Sequence, residues 1–326
     1  MKVFISRNIP DTTAAKLMEE GLEVITAERG KSWTSKELIR ACQQVDFLLH
    51  RGSAVLDANF FQHCGHLKGI ALTSVGYNHV DIRAATKAGI PVSNTPDVLS
   101  EATADIAFLL MLAVSRKAFF RANQIARGEW KGMSFTQDLG VELYGKTLGI
   151  FGLGRIGLAL ARKAKAVYKM EVIYHNRNRN NKAEQELDAV YVSFDELSEK
   201  SDVISVHTDL SPETAERFNA ETFKKMKKSA IFINTARGGI HNEFDLTNAL
   251  MNGDIWGAGL DVTNPEPMLP SNPLLNMSNV CVLPHIGSAT VETRAKMALM
   301  AANNLVAAKN GKKMPQIVNI DVYKMK

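Results

Sequence analysis

Three glycines in one short turn, Gly152, Gly154 and Gly157, have a spacing that can do chemistry. In FGLGRIG they form a GxGxxG that follows an apolar stretch and opens an amphipathic one, the context in which the pattern cradles a dinucleotide pyrophosphate. The first glycine permits the tight turn, the second lets backbone approach phosphate, and the third lets a helix pack on a strand. Arg155 and Ile156 would stand at the helix N-terminus, whose free N–H groups attract anions. Roughly 20 residues further on, an NAD site carries an acid for the adenosine ribose. VIYHNRNRN, residues 172–180, has no acid and places Asn176, Arg177 and Arg179 there instead. A carboxylate would repel a 2′-phosphate, whereas a guanidinium fork suits one. The stretch therefore points to NADP(H) in preference to NAD(H), with Arg177 on the 2′-phosphate, Asn176 beside it and Arg179 a weaker candidate.

Three further stretches carry reactive side chains: INTARGG (233–239), GLDVTNPEP (259–267) and LPHIGS (283–288). Each begins in or just after a short apolar run that reads as a strand. In open α/β sheets ligands sit at the carboxyl ends of strands. Arg237, Glu266 and His285 can therefore converge beside a nicotinamide ring although they lie far apart in sequence.

These groups need a sheet to hold them. KTLGIF (146–151), EVIYHN, DVISVH (202–207), SAIFINT (229–235), WGAGLDV (256–262) and VCVLPH (280–285) read as strands, most of them separated by helical stretches. EFDLTNALMNG (243–253) ends on a glycine C-cap signal. Short apolar strands alternating with helices imply a doubly wound parallel sheet. The first hundred residues repeat the style in KVFIS, LEVIT, DFLLH, LKGIALT and IPVSN. A helix from Ser100 to about Lys117 joins the two units, and a last helix ending at Gly311 returns the chain to the first. The expected architecture is α/β with two Rossmann-like doubly wound domains: a discontinuous, flavodoxin-like substrate domain (1–98 plus 289–326) and a dinucleotide-binding domain (99–288).

Composition narrows the function classes. The chain has 326 residues, 45% hydrophobic and 22% charged, a globular profile, with a net charge of +5 that favours anionic ligands. Three cysteines make no disulfide framework and suit a reducing compartment, so a cytoplasmic location is expected. The longest apolar run, IAFLLMLAV, is too short to cross a bilayer. The basic cluster FKKMKKSA (223–230) lacks interleaved aromatics and reads as a solvated helix face, so neither membrane nor nucleic acid is an expected partner. QHCGH (62–66) has no second ligand pair at metal-binding spacing and reads as helix-end packing, so no metal is expected.

Over essentially its whole length the chain resembles the D-isomer-specific 2-hydroxyacid dehydrogenases. The resemblance is carried by GLGRIG, TARGG, DVTNPEP and PHIGS, and by SVGYNHVD (74–81) in the first domain. Within that family it is most similar to the NADPH-preferring glyoxylate/hydroxypyruvate and 2-ketogluconate reductases. The resemblance implies an oxidoreductase that transfers a hydride between NADP(H) and a small 2-keto or 2-hydroxy acid. His285 would be the general acid, Glu266 would pair with it and hold it protonated, and Arg237 would bind the substrate carboxylate and polarise the ketone. The amides of Val75 and Gly76 would grip that carboxylate from the other domain. Asp261 would orient the nicotinamide carboxamide, Thr235 and Ala236 would flank the ring, and His207 would lie by the ribose–phosphate part. The family also implies a homodimer with an arm around residues 126–145. Asp209 and Trp256 depart from common family residues and are expected to stay clear of the catalytic set. Two alternatives share these motifs: an NAD-linked D-lactate-type dehydrogenase and a nucleotide-sensing, corepressor-like binding protein.

Overall fold

The computed structural model describes residues 1–28, 30–52 and 54–324. The chain divides into two compact units, Met1–Leu99 with Ala289–Lys326, and Ser100–Ser288. Each is an α/β unit built on a single parallel sheet.

Among its described residues the first unit has five strands, β1 (Lys2–Ile5), β2 (Glu23–Thr26), β3 (Phe47–His50), β4 (Gly69–Leu72) and β5 (Val92–Ser93), in the order β2-β1-β3-β4-β5. This is the flavodoxin-like order. The strands are apolar on both faces because both faces are covered. Phe4, Leu48, Ile70 and Leu72 enter one core, while Val3, Ile5, Phe47, Leu49 and Ala71 enter the other. That alternation is the two-residue period of a strand sorting neighbouring side chains to opposite sides. The helix Val291–Lys309 adds Ala301, Ala302 and Leu305 to the second core, so the chain's last part completes the unit it began.

The second unit has seven strands: β6 (Thr147–Phe151), β7 (Glu171–His175), β8 (Val190–Tyr191), β9 (Val203–Val206), β10 (Ile231–Asn234), β11 (Gly257–Leu260) and β12 (Val280–Val282). Their order is β12-β11-β10-β9-β6-β7-β8, which reverses direction between β6 and β9. Crevices at such reversals are where doubly wound sheets bind ligands. Leu148, Ile150, Val172, Tyr174, Ile231 and Ile233 face one core, and Phe151, Ile173, Ile204, Phe232 and Leu260 face the other. The helix Ser100–Ser115, which carries IAFLLMLAV, is buried against β10 and β11 of this same unit. Its apolarity is thus explained by packing, and no helix among the described residues is long and apolar enough to cross a membrane. Lys225 and Lys227 of the basic cluster are paired with Asp195, Glu221 and Asp202.

Candidate active site

The glycine turn joins β6 to the helix Arg155–Tyr168 at the reversal of strand order. Gly152 has φ +99°, and a Cβ there would lie 2.7–2.8 Å from backbone atoms of His207 and Thr208, just past β9. At Gly157 a Cβ would meet the Gly152 carbonyl at 2.9 Å and Ile150 at 3.0 Å, so strand and helix touch only because it is glycine. Gly154 faces open space, with nothing within 4 Å of a Cβ position. The first hydrogen bond closing the helix runs from Leu158 N–H to the Gly154 carbonyl, which places Arg155, Ile156 and Gly157 in the opening turn. A closed strand–helix junction with an open rim and a helix N-terminus fits a pyrophosphate.

Beyond β7 the polar residues divide sharply in their use. The Asn176 Oδ1 accepts the Leu153 N–H at 2.6 Å, and its Nδ2 donates to the Leu153 carbonyl at 3.3 Å. Asn180 adds a second donor to that carbonyl at 2.9 Å. Asn176 thus holds the glycine turn itself. Arg179 makes two bonds of 2.9 Å to Glu184 and lies over the Tyr191 ring. Arg177 is exposed and makes no hydrogen bond or salt bridge among the described residues, although its charge reaches Glu213.

The remaining candidates of this unit gather at the carboxyl ends of β9 to β12. His207 sits between Ser205, 2.8 Å from Nε2, and Thr235, 3.4 Å from Nδ1. Burial pushes its pKa down to about 3, so the ring is neutral. Arg237 follows β10, with its Nη1 donating to the Ala236 carbonyl at 2.6 Å. Burial lowers its guanidinium pKa, opposed by the charges of Glu266 and Asp209. Among the described residues Asp209 makes no hydrogen bond or salt bridge with the catalytic set, but its charge is felt at Arg237.

His285 and Glu266 meet at 2.6 Å between Nδ1 and Oε1. For Glu266, burial alone would raise the pKa. The hydrogen bond and charge of His285, the Thr263 backbone and Arg237 outweigh it and hold the carboxyl below its usual value. His285 has a left-handed backbone, φ +54°, rare for a residue with a side chain and a form of strain found at functional sites. The next two amides explain how it is held. Asp261, 1% exposed, accepts Ile286 N–H and Gly287 N–H at 2.7 Å each, and Thr103 donates to the Gly287 carbonyl at 3.1 Å. Burial raises the Asp261 pKa, while these two amides oppose the shift.

Sequence reasoning gave Asp261 a ligand-facing task and missed its grip on the His285 loop. It also missed Thr103, and Asn234, whose buried amide bonds Ala236 and Arg237. Such links join residues remote in sequence, or use side-chain directions that motif spacing does not reveal. In the first unit, Val75 and Gly76 lie in the loop after β4. Their carbonyls accept from Asn94 and Ser74, each at 2.8 Å, while their N–H groups donate to nothing among the described residues. His63 and His66 of QHCGH bond the backbone carbonyls of Asn59 and Cys42.

Comparison with known proteins places this geometry in context. Residues 108–287 match the family described as "D-isomer specific 2-hydroxyacid dehydrogenase, NAD binding domain". A glyoxylate reductase of Korarchaeum cryptofilum is 40% identical over 326 residues, covering 100% of this chain and 98% of the relative. One from Thermococcus litoralis is 43% identical, covering 98% of this chain and 97% of its own. Among solved structures, an NADPH-dependent glyoxylate/hydroxypyruvate reductase of Sinorhizobium meliloti, in complex with NADP and malonate, superposes with a TM-score of 0.85. It is 31% identical, with 97% of this chain and 96% of that chain covered.

Proposed function

Because the chain belongs to the D-isomer-specific 2-hydroxyacid dehydrogenase family and is a pyridine-nucleotide-dependent 2-ketoacid reductase, we propose that it draws its hydride from NADPH and reduces glyoxylate, hydroxypyruvate or 2-ketogluconate. The observation that carries the catalytic assignment is the His285–Glu266 hydrogen bond of 2.6 Å at the carboxyl edge of the sheet. The bound nicotinamide supplies the hydride. His285, oriented by Glu266, delivers a proton to the carbonyl oxygen. Arg237 binds the substrate carboxylate and polarises the ketone, and the amides of Val75 and Gly76 are the first unit's candidates for binding a carboxylate. The neutral His207 would lie by the ribose–phosphate part of a bound cofactor, and Thr235 and Ala236 would flank its ring. Asp261 anchors the His285 loop and would orient the carboxamide.

The preference for NADP(H) rests on Arg177, exposed and outside any salt bridge among the described residues, with no acid between residues 172 and 183. Exposed apolar side chains on the segment after the helix Ala118–Ala126, Met133 at 94% and Phe135 at 93%, support a homodimer that covers this arm. The test compares kcat/KM with NADPH and NADH over the three ketoacids, alongside His285→Ala. Turnover should favour NADPH and fall by ~10²- to 10⁴-fold in the variant. An NADH preference would overturn the cofactor assignment, and an active His285→Ala would overturn the catalytic one.

A further inference from the structure

Beneath the loop that carries Arg237 lies a polar pair to which the reaction as described gives no part. Asn234, the last residue of β10, is fully buried. Its Oδ1 accepts the Ala236 N–H at 2.9 Å, and its Nδ2 donates to the Arg237 carbonyl at 2.9 Å. These two bonds identify which amide atom is the oxygen and which the nitrogen. Turned over, it would set N–H against N–H and oxygen against oxygen. The Nδ2 is therefore also the group that faces the Nδ1 of His241 at 3.0 Å. A donor on that side requires Nδ1 to accept, so the ring proton of His241 belongs on Nε2.

His241 is 1% exposed and stands edge-on to Phe232, with ring centroids 5.6 Å apart. Burial keeps it neutral, its pKa pulled down to about 4, which is the state the bond from Asn234 needs. Among the described residues Nε2 has no hydrogen-bond partner, so Asn234 is the ring's one side-chain hydrogen bond. The backbone closes the same turn: Ile240 N–H donates to the Arg237 carbonyl and His241 N–H to the Gly238 carbonyl, each at 3.2 Å.

We propose that His241 and Asn234 are a positioning pair for Arg237, in which the imidazole locks the Asn234 amide and the amide fixes the backbone from which the guanidinium reaches the ketoacid carboxylate. This rests on the assignment of Arg237 to that carboxylate. The pair touches neither substrate nor cofactor. Its effect is on ketoacid affinity, through the Thr235–Ala236 and Arg237–Gly238 peptide groups that bracket Arg237.

The test uses two substitutions in the full-length protein. His241→Val removes the acceptor, while His241→Asn returns an amide oxygen close to where Nδ1 stood. His241→Val should raise the ketoacid KM about five- to tenfold, the scale of one neutral hydrogen bond, with the cofactor KM within about twofold of wild type. His241→Asn should bring the ketoacid KM back to within about twofold. An unchanged ketoacid KM in His241→Val, or a His241→Asn no better than His241→Val, would overturn the proposal. Should the valine variant not fold, ¹⁵N-histidine NMR of the wild-type holoenzyme reads the tautomer directly: a proton on Nε2 supports the pair, and one on Nδ1 refutes it. Arg237→Ala separates this failure from failure of the underlying assignment. If that variant keeps its ketoacid KM, the assignment of Arg237 falls. If it loses affinity while His241→Val does not, only the positioning role falls.

Discussion

Gly238→Ala tests whether the loops of Arg237 and Glu266 form one rigid assembly. A Cβ at Gly238 would fall on the Thr263 carbonyl, well inside the 3.0 Å that real Cβ contacts respect, and 2.9 Å from the Asn264 nitrogen. Both obstacles are backbone, so no side chain can swing aside. To reach ordinary contact the two loops must separate by roughly 1 Å or more, and that movement would be transmitted to Glu266, two residues beyond Asn264. Misplacement on this scale costs about 10²-fold in rate when groups must meet in a reactive geometry. Overpacking a tight junction costs about 1–3 kcal/mol, which lowers Tm by about 3–10 °C for a unit of this size. The assay is kcat/KM for glyoxylate with saturating NADPH, together with thermal unfolding of the same preparation. Activity within threefold of wild type and Tm within about 1 °C would refute the close approach as a rigid element of the site.

Three further outcomes are expected. Glu266→Gln should lower kcat by about 10- to 100-fold, the range of a charge-assisted hydrogen bond. Because the native Glu266 carboxyl is held below its ordinary value, its stabilising share is present above that value and lost as pH falls through the native one; the Tm gap between wild type and variant should therefore close on acidification, and a gap that widens would contradict the ion pair. Arg177→Ala should raise the NADPH KM and leave the NADH KM unchanged, whereas Arg179→Ala should do less because Glu184 already engages Arg179; equal effects from both, measured by initial rates, would overturn that ordering. Asp261→Asn sets an NH₂ against the N–H of Ile286 or Gly287, so it should destabilise by about 1–3 kcal/mol and reduce turnover, as followed by urea unfolding and kcat.

The sheets were legible because parallel strands covered on both faces must be apolar along most of their length, as FLLH and IFIN are up to their last residue. The positions of Arg237, Glu266 and His285 were legible for a related reason: each follows a strand, and strand ends share one edge. β8 was not, since two residues, Val190 and Tyr191, leave no periodicity to detect. Nor was the pairing of Arg179 with Glu184. The helix Asn181–Leu187 starts between them, and only its placement brings the carboxylate back to the guanidinium. Composition reads both arginines alike, whereas the fold leaves one to solvent and neutralises the other.

Three polar residues at strand ends explain why this edge can hold reactive groups still. Where a parallel strand stops, the next peptide groups lose their ladder partners and must find others. Asn176 after β7 takes both polar groups of Leu153 in the glycine turn. Asn234 at the end of β10 takes Ala236 and Arg237, and Asp261 after β11 takes Ile286 and Gly287. Short side chains suit the task because they reach neighbouring backbone with few rotamers to fix. Each accepts a backbone N–H that has no other partner among the described residues, and each does so within a residue or two of a group assigned to cofactor or substrate. The bonds that complete the fold at this edge are therefore the same bonds that would hold its cofactor and substrate groups, so a substitution at any of the three should disturb stability and kcat/KM together.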